Sequence, residues 1–282
     1  MASPAWFITG ASNGFGLLLC LRALKANHKV VGSVRSRAKA ADAVRQIESA
    51  GGRVIELDLN EPKESIARKV KTVGQIDYLV NNAGFFILGA VEQVTDEEAQ
   101  LQMQTNFFGP LYVTQAALEG MRQRRAGAVA NLSSIAALDP QPASALYAAS
   151  KAALEAVSAA LAAEVAAFGV SVLVVEPGAF RTNFLAAHRA PAAALPADYA
   201  GTAAAAAGER FATQDGRQAG DPRKAVDRIY EALTGEGLAG KLTGKVDRLV
   251  IGPDALRRMR ARNDKFLADL ALGEDVALST DF

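Results

Sequence analysis

Six short runs rich in Val, Ile and Leu punctuate the first two-thirds of the chain: AWFIT (5–9), KVVGSV (29–34), RVIEL (53–57), IDYLV (76–80), AVANLS (128–133) and VSVLVV (170–175). They show little alternation of polar and apolar residues, which is the pattern of strands buried on both faces of a parallel sheet. Helical stretches separate them, at 15–26, 38–50, 61–73, 96–121 and 145–168. Strand–helix alternation of this kind predicts an α/β fold. The expected form is a Rossmann-type, doubly wound parallel sheet of about seven strands, with helices on both faces and right-handed crossovers.

Beyond residue 180 the pattern changes. Residues 183–220 are alanine-rich and broken by Pro191, Pro196, Gly201 and Gly208. They begin just past a strand's C-terminal end, where such sheets bind ligands, and are read as a substrate lid. Asp221 and Pro222 then form an N-cap and N1 pair opening a helix over 222–234. A last strand is expected at RLVIG (248–252), followed by a basic helix over 254–270 within a C-terminal helical tail, 253–282. No repeat or interdomain linker interrupts the chain, so 1–282 is read as a single dinucleotide-binding domain.

The bulk properties narrow the class. Thirty-one Lys and Arg against 30 Asp and Glu leave a net charge of +1, which gives no global attraction to nucleic acid or an anionic membrane. No stretch approaches the roughly 20 apolar residues of a membrane span. The opening MASPAWFITG lacks the basic and long apolar regions of a signal peptide. A lone cysteine, Cys20, excludes an intramolecular disulfide and fits a reducing compartment. The expectation is a soluble, cytoplasmic protein with no metal site.

The turn after the first run reads Thr9-Gly10-Ala11-Ser12-Asn13-Gly14-Phe15-Gly16 and opens the first helix. Glycines allow a tight turn and close approach to a pyrophosphate, while the helix N-terminus offers free N–H groups. Gly10, Ser12, Asn13, Gly14, Phe15 and Gly16 are therefore candidate cofactor contacts. The second run ends Gly32-Ser33-Val34-Arg35-Ser36-Arg37. An acid there would bind the ribose hydroxyls of NAD and repel a 2′-phosphate, and none is present. A guanidinium can stack on adenine and bind phosphate bidentately, so Arg35 is the candidate for the 2′-phosphate of NADP(H), with Ser33, Ser36 or Arg37 assisting. Asp58 follows the third run and is read both as a helix cap and as an acceptor for the adenine amino group.

Tyr147 and Lys151 stand i, i+4 at the start of a helical stretch and so share one helix face. A nearby ammonium and an oxidised nicotinamide both favour the phenolate and lower an otherwise high pKa. With five tyrosines in the chain the spacing alone is weak, and its weight comes from neighbouring motifs. Ser133 or Ser134, ending the fifth run, is placed to bond a substrate oxygen. Asn106, in the preceding helix, is a candidate to hold a water that relays protons to Lys151.

In this order the motifs resemble the short-chain dehydrogenase/reductase family, in its roughly 250-residue form with an extended tail. The likeness runs over about 4–252, through TGASNGFG, DLN (58–60), Asn81-Asn82-Ala83-Gly84, Asn106, NLSS, YAASK and Pro177-Gly178 with Thr182. The resemblance implies a catalytic tetrad of Asn106, Ser134, Tyr147 and Lys151, with Ser134 preferred over Ser133 by its spacing from the tyrosine. It places Asp58 and Leu59 at the adenine, and Asn82, Ala83 and Gly84 at the adenine-side ribose. Tyr147 and Lys151 would bind the nicotinamide ribose, and Pro177, Gly178, Phe180 and Thr182 the carboxamide. An arginine at position 35 resembles the NADP-preferring pattern.

The implied activity is NADP-dependent oxidoreduction of a carbonyl or secondary alcohol, a ketoreductase chemistry acting on CH–OH donors. Phe85, Phe86, Ile135, Leu138, Phe180, Leu185 and parts of 186–215 are the candidate pocket, and their apolar character favours a hydrophobic ketone or aldehyde. A cofactor-dependent epimerase, isomerase or dehydratase on the same site is the alternative, and a non-catalytic cofactor sensor a third. Arg257, Arg258, Arg260 and Arg262 are read as a solvated helix face, with a subunit contact or a membrane-surface role as the alternatives. Family resemblance implies a homodimer or homotetramer packed through 96–121 and 145–168.

Overall fold

The computed structural model describes residues 3–282; Met1 and Ala2, which begin the segment read above as lacking a leader, lie outside the described residues. Seven parallel strands form one sheet: β1 (Ala5–Ile8), β2 (Lys29–Val34), β3 (Arg53–Glu56), β4 (Tyr78–Asn81), β5 (Gly127–Leu132), β6 (Val170–Pro177) and β7 (Arg248–Ile251). Their order is β3-β2-β1-β4-β5-β6-β7. The chain therefore runs outward from β1 to β3, then returns to β4 on the other side of β1. The crevice at that reversal, beyond the C-terminal strand ends, is where ligands bind in sheets of this kind.

Successive strand residues enter opposite core layers. Trp6 and Ile8 pack on one face with α1 (Gly14–Lys25), α2 (Ala41–Ser49) and α8 (Pro222–Thr234). Phe7, Leu79 and Val129 pack on the other, with α3 (Lys63–Lys71) and α5 (Gly109–Arg124). Burial on both faces is the reason the strand runs lack alternation. Asp221 caps α8 by accepting from Arg223 N at 2.8 Å, with Pro222 at the first helical position.

Three stretches depart from the expected elements. The helix expected over 96–121 is α4 (Asp96–Met103), a π turn at Gln104–Phe108, and α5. The Gly109 N–H reaches back to the Gln104 carbonyl, five residues away. A π turn has no composition signature, and such turns often mark functional positions. The alanine-rich excursion carries α7 (Ala203–Gln214), capped by Thr202, and a short α9 (Gly237–Gly240) precedes β7. The long helix α6 (Ala145–Val165) carries Tyr147 and Lys151 as expected, while the tail forms α10 (Pro253–Leu278), longer than the 254–270 expected.

Candidate active site

Two turns meet at the reversal point. The Thr9 hydroxyl accepts from the N–H groups of Asn82 (3.0 Å) and Ala83 (3.1 Å), and Asn82 Nδ2 donates to the carbonyls of Thr9 (2.9 Å) and Gly10 (3.1 Å). Gly10 holds φ of +70°, and a Cβ there would lie 2.7 Å from Ala83 Cα, so only glycine fits. Gly16 is close-packed for the same reason, since a Cβ on it would reach 2.5 Å from Asn82 Nδ2. At the start of α1, Asn13 makes no side-chain cap and the first turn carries no acid. The leading N–H groups and the positive end of the helix dipole are left for an anion.

From this turn a groove of about 230 Å³ runs past Ser12, Asn13, Gly14, Arg35, Asp58, Leu59, Ala83 and Thr182. Arg35 is exposed at its edge and makes no ion pair among the described residues. Arg37 is committed elsewhere: it donates to the Val54 carbonyl and to Glu48, each at 2.8 Å. Of the two arginines, only Arg35 faces the groove. Asp58 Oδ1 accepts from Asn60 N at 3.0 Å and Asn60 Nδ2 at 2.8 Å, a local turn rather than the expected helix cap, because α3 begins only at Lys63, after Pro62, with no side-chain cap; the residue also lines the groove.

A second cavity, about 390 Å³, continues from the first and shares Phe15, Asn82, Gly84, Thr182 and Phe184 with it. Ser134, Tyr147, Lys151, Pro177, Gly178 and Phe180 all line it. Lys151 Nζ donates to the Leu132 carbonyl at 2.6 Å and sits 5.9 Å from the centre of the Tyr147 ring. Burial pushes the Tyr147 phenol up to about 12, against the opposing effect of the Ser134 hydroxyl. Burial also lowers Lys151 to about 8, partly offset by the Glu155 carboxylate. The phenol was expected to fall under the combined influence of the ammonium and an oxidised nicotinamide; in the protein alone desolvation wins, and the hydroxyl keeps its proton at neutral pH.

Gly16 and Asn106 line neither cavity and act from behind. Asn106 sits in the π turn, fully buried. Its Oδ1 accepts from Phe85 N at 3.1 Å, and its Nδ2 donates to the Phe85 carbonyl at 2.9 Å and to Ser150 Oγ at 3.1 Å. These bonds lock the segment after β4 to α6. Gly84 lies between the groups: a Cβ there would be 3.2 Å from Asn106 Oδ1 and 3.5 Å from Lys151 Nζ.

The wall opposite is apolar. Phe86 packs with Tyr147 (ring centroids 5.6 Å), Phe184 (5.1 Å) and Phe211 (5.7 Å). Of the expected pocket residues, Phe86, Ile135, Phe180 and Leu185 line this cavity; Phe85 lines the groove instead, and Leu138 lines neither. Phe211, Arg210 and Gln214 bring α7 onto the wall. The excursion is pinned to the segment after β4, with Leu88 N donating to the Arg189 carbonyl at 2.9 Å and Arg189 N to the Phe86 carbonyl at 3.0 Å.

Several contributors carry no motif. Arg258, read as part of a solvated face, lines the cavity and donates to Asp139 Oδ2 (2.6 Å) and to the Asp139 carbonyl (2.7 Å). Asp254 Oδ2 accepts from Ala179 N at 2.8 Å and so fixes the turn after β6. Beneath the site, Ser133 Oγ donates to Glu155 Oε1 at 2.5 Å, and Arg248 bridges Glu155 and Glu176. Glu155 stands four residues after Lys151 on α6, a spacing that marks the shared face; nothing local marks Glu176 or Arg248.

Comparison with known proteins identifies the family to which this fold belongs. A family model described as short chain dehydrogenase matches residues 5–193. The chain belongs to the short-chain dehydrogenase family, a family of oxidoreductases that use nicotinamide cofactors. Among its relatives, oxidoreductase claN of Passalora fulva is 44% identical over 193 residues, covering 67% of this chain and 88% of that protein. The 3-ketodihydrosphingosine reductase of Bacteroides thetaiotaomicron is 38% identical over 178 residues, covering 63% of this chain and 64% of its own length. A short-chain dehydrogenase from Streptomyces avermitilis superposes with a TM-score of 0.86 at 35% identity, with all of both chains covered. No helix of the described residues is long and apolar enough to cross a membrane.

Proposed function

We propose that this protein is an NADP(H)-dependent reductase of hydrophobic ketones or aldehydes, working reversibly on the corresponding alcohols. The observation that carries this reading is that Ser134, Tyr147 and Lys151 line one apolar cavity that runs on into the glycine-turn groove. The fit to the dinucleotide rests on the chain's own chemistry: uncapped N–H groups at α1, close-packed glycines at 10 and 16, and a groove whose rim carries Arg35 and no acid at the end of β2.

Gly10, Ser12, Asn13, Gly14, Phe15 and Gly16 would hold the pyrophosphate, Arg35 the 2′-phosphate, and Asp58 and Leu59 the adenine. Asn82, Ala83 and Gly84 would hold the adjoining ribose, and Pro177, Gly178, Phe180 and Thr182 the carboxamide. When bound, NADP(H) supplies or accepts the hydride. The protein supplies the proton and the orientation. Tyr147 holds its proton near neutrality and is the acid that gives it to the substrate oxygen. Ser134 donates a hydrogen bond to the same oxygen. The Lys151 ammonium offsets the charge left on the phenolate and binds the ribose hydroxyls. Asn106 acts through its bonds to Phe85 and Ser150, as a positioning residue. Residues 183–220 cover the site as a lid. The name of the Bacteroides relative, a reductase of a keto compound, favours ketone reduction.

Screening hydrophobic ketones and secondary alcohols against NADPH, NADP⁺, NADH and NAD⁺ tests the reading. NADPH-dependent ketone reduction is expected; activity confined to NADH, or none with any pair, contradicts it.

A further inference from the structure

Gln218 is 5% exposed, yet neither its Nε2 nor its Oε1 meets a hydrogen-bonding partner among the described residues. Its backbone is held firmly. The Gln218 carbonyl accepts from Arg181 Nε at 3.2 Å and Nη2 at 3.1 Å, and Gly220 bridges to Phe180 two residues on. Gln218 is among the residues lining the cavity that contains Ser134, Tyr147 and Lys151, with its amide atoms held just beneath that wall. Much of the remaining wall is apolar, from Phe86, Phe184, Leu185 and Phe211. A buried amide without partners is destabilising until water or a ligand satisfies it, and beside a substrate cavity a ligand can do so.

We infer that Gln218 is a specificity residue that reads a second polar group on the carbonyl substrate, one that both accepts and donates a hydrogen bond, such as a hydroxyl or a carboxamide. The inference rests on the reductase reading. Nε2 donates to the oxygen of that group and Oε1 accepts its O–H or N–H. A substrate lacking the group leaves a desolvated amide unpaired, which discriminates more sharply than a change of one methylene.

The test uses two ketones of equal length, one ending in methyl and one in a hydroxyl, with NADPH and either the wild type or Gln218→Leu. The wild type is expected to prefer the hydroxyketone by about tenfold or more in kcat/KM. Gln218→Leu should abolish or reverse that preference with NADPH affinity unchanged. An equal preference in both proteins overturns the inference. So does weakened NADPH binding with the ketone preference intact, which would assign Gln218 to the cofactor. Failure of both proteins on both ketones contradicts the reductase reading itself, and the inference falls with it.

A separate observation concerns α10. This helix has 26 residues and buries only Ala255. Phe266, Leu267, Leu270 and Leu278 are each more than half exposed, and with Leu256, Met259 and Ala277 they fall on one stripe at helical spacing. Charge is segregated along its length. Apart from Arg258 and Asp254, which are held by Asp139 and the Ala179 N–H, residues 254–268 carry Arg257, Arg260, Arg262 and Lys265 against Asp264, whereas 269–282 carry Asp269, Glu274, Asp275 and Asp281 and no base. A parallel pair of such helices sets like charge on like. An antiparallel pair sets the basic half of each on the acidic half of the other and buries the stripe between them.

We propose that α10 pairs antiparallel with α10 of a second copy of this chain, about a two-fold axis near Leu267. Such an interface is closed and self-complementary.

Light scattering on the full chain tests the pairing. The doubly substituted Phe266→Glu/Leu270→Glu protein should show half the wild-type mass, with unchanged circular dichroism. Cross-linking tests the direction: an equimolar mixture of Arg260→Cys and Glu274→Cys chains should give disulfide-linked dimers in air, and neither alone should. The lone natural cysteine, Cys20, is buried. A monomeric wild type, an unchanged mass in the double variant, or cross-linking of each cysteine variant with itself overturns the proposal.

Discussion

The Lys151 ammonium donates to the Leu132 carbonyl at 2.6 Å, tying the helix that carries Tyr147 to the end of the strand that leads into Ser134. This bond spends one of the three lysine protons inside the protein. The others are free to face the cavity, which Lys151 also lines. The charge sits where burial opposes it and Glu155 supports it.

That balance predicts a pH profile. Lys151, near 8, keeps its charge below that pH and loses it above, whereas Tyr147, near 12, stays protonated throughout. In the reducing direction, kcat/KM for NADPH should be level on the acid side and fall as pH rises through about 8. Glu155→Gln removes the carboxylate that holds the ammonium up, so the break should move to lower pH. A profile level to pH 10 (roughly two units past the lysine) would separate Lys151 from the reaction.

Arg35 makes no ion pair among the described residues and lines the groove. Arg35→Asp is expected to weaken NADPH binding by about 10- to 100-fold, the worth of a charge-assisted hydrogen bond. NADH binding should be spared or improved. Fluorescence titration with both dinucleotides measures this, and equal losses would remove Arg35 from the 2′-phosphate.

Arg248 lies between two carboxylates that are almost wholly inaccessible, and is itself 41% exposed. Arg248→Leu should destabilise the fold by no more than the lower end of the about 3–5 kcal/mol seen when a buried pair is broken, because water reaches the guanidinium. Burial first, then Glu155, raises Glu176 to about 7. A raised carboxyl favours the folded state fully below its unfolded pKa, and that benefit is lost as pH rises through about 7. Glu176→Gln, which cannot ionise, should therefore gain thermal stability relative to wild type as pH rises from 6 to 9. A difference in Tm that stays constant across that range, roughly three units wide, would count against the shift.

Much of the fold was legible because it depends on local pattern. The unalternating strand runs, the glycine turn after β1 and the Asp221-Pro222 start of α8 each carry their structural reason in a few consecutive residues. Tyr147 and Lys151 were legible through helical spacing together with the ordered motifs around them, since the spacing by itself is weak. What was not legible depends on long-range contact. The π turn at Asn106 is held by Phe85 and Ser150, 21 and 44 residues away. Arg258 looked like a solvated charge because its partner, Asp139, lies 119 residues earlier. The Tyr147 pKa followed burial rather than the neighbouring ammonium, and burial is a property of the packed cavity.

The central claim is that Tyr147 gives the proton while NADPH gives the hydride. Its most direct test compares wild type and Tyr147→Phe for NADPH consumed and alcohol formed, with NADPH affinity measured separately. The wild type should consume one NADPH per alcohol. Tyr147→Phe should bind NADPH equally well and turn over about 10²- to 10⁴-fold more slowly. Unchanged turnover in the variant, or product formed by the wild type without net loss of NADPH, would contradict the account.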